Sequence, residues 1–179
     1  MTSSLDRRLN KMDQRLQRLL DELSNYDNEI LNNKPADGGW SALQVMHHLF
    51  LAEESSVKYV RKKLSFDPEL KSAGLMSAWR ASLLNFYFIL PFKFKAPPGV
   101  GDDVLPAQSD FREVSGRWLA NRKELRSYLE NLPPELFGKS IYRHPFAGRM
   151  SLEGMVRFFD GHFERHRKQI SRVLAEVGR

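Results

Sequence analysis

Along most of this chain apolar residues return every three or four positions, and that spacing confines it to helices packed on helices. Leu5, Leu9, Met12, Leu16, Leu19, Leu20, Leu23, Tyr26 and Ile30 form one stripe over residues 5–31. Ser3 or Ser4 can cap its start, and Pro35, Gly38 and Gly39 punctuate its end. Ser41 opens a second helix, running to about Leu64, with Gln44 placed three residues on to close a capping box. Leu43, Met46, Phe50, Val57, Val60 and Leu64 make its main apolar face. Asp67-Pro68 breaks the next stretch, and the aromatic-rich segment 73–90 predicts a shorter helix stopped by Pro91. Residues 93–108 hold Pro97, Pro98, Gly99, Gly101 and Pro106 and read as a long irregular loop, of the length that lids and mobile segments have. Ser109 and Asp110 open another helix to about Asn131, on which Phe111, Val114, Trp118, Leu125 and Leu129 repeat. Residues 132–150 are loop-like, and a last helix follows Ser151 to about Val177. No run alternates with period two, so no strand is expected. The fold class is all-α: a single domain over residues 1–179, a bundle of four long helices with a short helical insertion between the second and third.

Composition narrows the chemistry. The 179 residues include 12 Phe, 5 Tyr and 3 Trp, which excludes disorder as the main state. Cysteine is absent, which excludes a disulfide framework, a Cys nucleophile, an iron–sulfur cluster and a Cys-held zinc. Any transition metal must then be held by carboxylates and by the 5 histidines. The net charge of +6 is concentrated late: residues 1–90 carry 12 bases and 11 acids, and residues 91–179 carry 16 and 11. The surplus is mild and interleaved with acids, so a solvated basic face is expected and no nucleic-acid partner. The apolar stretch 83–92 is about half the ~20 residues of a membrane span. With no signal core after Met1, the expectation is a cytoplasmic protein without a membrane partner.

The last helix is the most informative. Leu152, Met155, Val156, Phe159, His162, Phe163, His166, Ile170, Val173, Leu174 and Val177 fall on one side of it. His162 and His166 lie inside that stripe, four residues apart and stacked one turn above the other. Two imidazoles in a core stripe cost desolvation unless each ring nitrogen finds a partner. A shared metal ion would satisfy both; ordinary hydrogen-bonded core histidines are the alternative. A third ligand must come from another helix, where His47 and His48 are both available. Periodicity slightly favours His47, nearer the edge of the main apolar face, and leaves His48 on a second, small-residue side with Val45, Ala52 and Ser55. His144, before Pro145, reads as a turn residue. Glu53, Glu54 and Glu164 are the nearby carboxylates, and Glu164 points away from the histidine pair. The Glu-x-x-His pairs of di-iron bundles are missing. So is HExxH, because Phe163 follows His162.

Trp40-Ser41 followed by Val45-Met46-His47-His48-Leu49 resembles the second-helix signature of the DinB-like (DinB/YfiT) superfamily of metal-binding four-helix bundles. His144-Pro145-Phe146-Ala147-Gly148 resembles the family's His-Pro-x-x-Gly approach to the last helix. His162, His166, Gln169 and Ile170 match its closing H-x-x-x-H-x-x-Q-I pattern. The matches span residues 40–170, with 73–108 looking like an insertion. The resemblance implies an antiparallel four-helix bundle in up-down-down-up order. It also implies one divalent metal ion on three histidines, which map to His48, His162 and His166. Here the motif selects His48 where periodicity leans to His47.

Similar proteins include transferases that act on electrophilic small molecules with a low-molecular-weight thiol as cosubstrate, in stress and detoxification, and others described as metal-dependent hydrolases. The resemblance therefore implies an enzyme with a small-molecule substrate, a thiol S-transferase before a hydrolase. Three protein ligands leave a coordination position open, as in catalytic centres. An all-His set suits Zn, Ni, Fe or Cu, with Zn or Ni the expectation. Arg149, Lys93 and Lys95 are candidates to receive the carboxylates of a thiol. A third reading is a non-catalytic bundle that binds a ligand or partner through Trp79, Phe86, Tyr87, Phe88, Phe92 and Phe94. Homodimers are common among similar proteins, though nothing in this sequence itself shows one.

Overall fold

The computed structural model describes residues 1–74, 79–80 and 96–178. Most of the helical segment expected over 73–90, the lysines Lys93 and Lys95, and the aromatic residues from Phe86 to Phe94 lie outside the described residues; within that segment Trp79 and Arg80 are helical, and Trp79 is exposed. Four long helices carry the fold: α1 (Ser3–Leu23), α3 (Ala42–Leu64), α4 (Phe111–Glu130) and α5 (Leu152–Val177). A single turn and a half, α2 (Asn28–Asn32), joins the first two. None of these helices is long and apolar enough to cross a membrane.

The helix starts show how local chemistry sets the boundaries. Ser41 Oγ accepts from Gln44 N–H while Gln44 Oε1 accepts from Ser41 N–H, completing the expected capping box of α3. Asp110 and Ser151 cap α4 and α5 in the same way through Glu113 N–H and Gly154 N–H. The cap of α1 is Thr2, whose hydroxyl accepts from Leu5 N–H, and not Ser3 or Ser4. The first helix also ends earlier than its stripe. Ser24 Oγ donates to Asp21 O, and Asn25 Nδ2 donates to Asp21 O and Glu22 O, taking the carbonyls on which another turn would build. The chain turns there, and Leu31 is delivered to the core by α2 instead.

Two buried clusters fix the direction of every helix. At one end Leu5, Leu9 and Met12 pack with Val57, Val60, Leu125, Leu129, Met155 and Phe159. At the other, Leu16 to Leu23 pack with Leu43, Met46, Val114, Trp118, Ile170 and Leu174. Residue numbers rise from the first end to the second along α1 and α5, and fall along α3 and α4. That is the up-down-down-up order. The parallel pair α3–α4 is visible in its polar contacts as well: Arg117 lies over Phe50, Arg122 pairs with Glu53, and Glu124 pairs with Arg61.

One expectation is overturned between α4 and α5. A 3-10 turn (Pro134–Gly138) is followed by a hairpin of β1 (Tyr142–His144) and β2 (Gly148–Met150), antiparallel with His144 opposite Gly148. Three-residue strands are too short to show a period of two. The turn works because Gly148 adopts φ +76°, a conformation costly for any residue with a Cβ.

Candidate metal centre

Midway along the bundle, α3 and α5 face each other with imidazoles. His48 comes from α3, and His162 and His166 come from successive turns of α5. Their ring centroids are 4.9 Å (His48–His162), 4.8 Å (His48–His166) and 4.5 Å (His162–His166) apart. One ring nitrogen from each lies within 4.8 Å of the others, and His48 Nε2 is 3.0 Å from His162 Nε2. Two nitrogens bound to one zinc ion lie at most about 4.2 Å apart, because zinc–imidazole bonds run to about 2.0–2.1 Å. The 3.0 Å pair is already within that reach, and a spread of up to 4.8 Å closes to it with a shift of about half an ångström.

The second nitrogen of two of these rings is engaged outward. His48 Nδ1 donates to Val100 O at 2.6 Å, and His166 Nδ1 donates to Gln169 Oε1 at 2.8 Å. Both acceptors are carbonyl oxygens, so both rings carry their proton on Nδ1 and turn an Nε2 lone pair inward. Such outer partners orient metal-binding histidines and raise their basicity. Burial lowers the pKa of all three rings. His166 falls to about 3, and His162 is held well below its ordinary value by burial together with the neighbouring His166 and His48. His48 is lowered by burial against the opposing effect of Val100 O. Near neutral pH the cluster is therefore three neutral nitrogen donors, the state a metal ion requires.

His47 is not part of this group. Its Nε2 lies 2.8 Å from Ser109 Oγ, on the side of α3 that meets the start of α4. The lean of periodicity toward His47 is corrected. The main apolar face of α3 feeds the buried clusters it shares with residues of α1 and α4, whereas its small-residue side makes room for the rings of α5. Glu53 is absent from the cluster too, because it is buried against α4, where it pairs with Arg122. Glu54 pairs with Lys58, and Glu164 with Arg15 and Arg167.

The cluster opens into a cavity of about 1310 Å³. Its wall includes His144, Phe146 and Tyr142 from the hairpin, Phe158 from α5, and Trp40, whose ring is 4.9 Å from that of His48. Arg165, Lys168 and Arg172 line it along one face of α5, joined by Arg143. Arg149 is exposed and is not among the lining residues; it pairs with Arg143 in the hairpin, and it is Arg143 that reaches the cavity. The stretch 96–108 is docked on the bundle. Gln44 Nε2 donates to Pro106 O at 3.1 Å, and Trp40 Nε1 donates to Asp102 Oδ1 at 2.5 Å. These contacts hold Val100 O over His48. Sequence reasoning attached no role to Val100, because a backbone carbonyl leaves no mark in a sequence. The role of Gln169 had a signal in its three-residue distance from His166.

Fold and cluster together define a class: a helical bundle with three convergent histidines from its second and fourth long helices. The model of the DinB superfamily matches residues 8–170, and the chain belongs to that superfamily. A solved structure is similar over nearly the whole chain: YfiT from Bacillus subtilis, described as a probable metal-dependent hydrolase with an unusual four-helix bundle topology. The two share 19% identity with a TM-score of 0.62, covering 99% of this chain and 90% of that one, a likeness of fold. No curated protein matches the chain in sequence.

Proposed function

We propose that this protein is a metal-dependent enzyme in which His48, His162 and His166 hold one divalent ion, Zn or Ni, and that it transfers a low-molecular-weight thiol to an electrophilic small molecule. The observation that carries the reading is the convergence of three neutral imidazoles, two with outward carbonyl partners, at the wall of a large cavity. The donor set fits such an ion: no charged ligand is needed, and the His48–His162 nitrogen pair, 3.0 Å apart, can serve as a pair of ligands. The ion supplies a lowered thiol pKa when bound.

The chain's own residues do the rest. Burial of the cluster keeps the imidazoles unprotonated. Trp40, Phe146 and Phe158 give the cavity an apolar wall for the electrophile. Arg165, Lys168 and Arg172 give a cationic strip suited to the carboxylates that small thiols carry. Hydrolysis, with water in place of the thiol, is the second reading, favoured by the description of YfiT.

Elemental analysis of untagged protein tests the centre: about one equivalent of a divalent metal in the wild type, lost in H48A and H162A. A protein that carries none and takes up neither Zn nor Ni refutes both readings. A screen of electrophiles with and without added thiol then separates transfer from hydrolysis.

A further inference from the structure

His144 stands apart from the three clustered histidines, yet it lines the same cavity. Its Nδ1 accepts two backbone hydrogen bonds from its own turn, from Phe146 N–H at 3.2 Å and Ala147 N–H at 3.1 Å. A nitrogen that accepts from two N–H groups cannot carry a proton, so the neutral ring holds its proton on Nε2. This is the opposite tautomer to His48 and His166. The ring is 6% exposed and packs edge-to-face on Phe158, with centroids 4.5 Å apart. Phe158 in turn stacks on His162 at 5.1 Å, so one aromatic ring separates His144 from the cluster. Among the described residues Nε2 has no hydrogen-bond partner, and it is not one of the side-chain atoms sealed without one. The two ring nitrogens diverge, so an Nε2 opposed to the turn is open to the cavity.

We propose that His144 is a specificity contact, whose Nε2–H donates a hydrogen bond to an acceptor oxygen on the part of the substrate furthest from the three-histidine cluster. The substrate class is then an electrophile bearing a carbonyl or carboxylate one aromatic ring's breadth away from its reacting end. This assignment rests on the metal-dependent reading of the cluster. The hairpin exists in part to make the donor: the two N–H groups that close the turn also fix the proton on the far side of the ring.

Two substitutions separate the roles of the two nitrogens. H144N keeps an acceptor where Nδ1 stands and deletes the outward donor. H144Q keeps a donor where Nε2 stands and loses the acceptor for the turn. The probes are succinate, with a second carboxylate, and propionate, without one, titrated into the Co(II)-loaded protein and read by visible absorbance. Succinate affinity is expected to fall about tenfold or more in H144N, the value of a hydrogen bond to a charged acceptor, with propionate unchanged. H144Q should retain succinate affinity to within about threefold, at a lower melting temperature. Nitrogen-15 spectra of the metal-free wild type should show His144 protonated on Nε2. An Nδ1-protonated ring, unchanged succinate affinity in H144N, or a larger loss in H144Q than in H144N would overturn the assignment while leaving the metal centre intact. Failure to load cobalt, read separately as metal content, would remove both.

Discussion

His48 Nε2 lies 3.0 Å from His162 Nε2 across the interface of α3 and α5. Two neutral imidazoles can meet this closely when one donates to the other or when a cation takes both lone pairs. The second case predicts a strong linkage. At a free zinc concentration of 100 times Kd, binding adds about 2.7 kcal/mol to stability. For a chain of this size each kcal/mol is worth about 2–4 °C. Zinc should therefore raise the melting temperature of the wild type and of H47A by several degrees, and leave H48A, H162A and H166A unmoved. Equal shifts in wild type and H48A would place the ion elsewhere.

Glu53 and Arg122 form a second buried polar contact between long helices. Arg122 Nε donates to Glu53 Oε2 at 2.6 Å and Nη2 to Oε1 at 2.7 Å, and Trp118 Nε1 adds a third bond at 3.3 Å. Burial raises the pKa of Glu53, and the guanidinium beside it opposes that. Removing one partner leaves the other buried without its counterpart. E53A and R122A should each cost about 3–5 kcal/mol in urea unfolding, whereas E53L/R122M should cost less than either. A double variant weaker than both single variants would mean that the pair is net stabilising.

The stability of the metal-free protein should fall with acid, and the histidines give the window. Burial lowers the pKa of His144 to about 4 and of His166 to about 3, from ordinary values near 6.5. The unfolded chain takes up these protons first, so stability is full above pH 6.5 and declines as the pH falls toward 4. Each such group contributes a slope of about 1.4 kcal/mol per pH unit in that interval. Urea midpoints at pH 7.5, 6 and 5 should fall in that order, and more shallowly in H144N. Midpoints that do not change across the interval would show that the rings are solvated in the folded state.

Much of this architecture was legible because helices advertise themselves. The stripes of α3, α4 and α5 carry both the periodicity and the capping residues Ser41, Asp110 and Ser151, so their extents follow from residue types alone. What escaped depends on contacts outside a local window. The break at Ser24 is a competition for the carbonyls of Asp21 and Glu22. The hairpin is two three-residue strands closed by a glycine at positive φ. His48 sits on the less apolar side of α3, where periodicity discounts a buried group. Its burial is decided by α5, which brings its own histidines to meet it.

Gln169 supplies the last test, because it acts on the cluster without touching the bridging point. Its Oε1 accepts from His166 Nδ1 at 2.8 Å and so fixes both the tautomer and the plane of that ring. The equivalent support of His48 is the Val100 carbonyl, which no side-chain substitution removes. Q169L keeps the volume and deletes the acceptor, so His166 can rotate and place its proton on either nitrogen. Loss of such an outer partner costs about 10–100-fold in metal affinity. Competition against a chelator of known affinity should show that loss for Q169L, with its metal-free melting temperature close to wild type. Q169E, which retains an acceptor, should recover most of the affinity. Equal affinity in Q169L and wild type would show that packing alone orients His166.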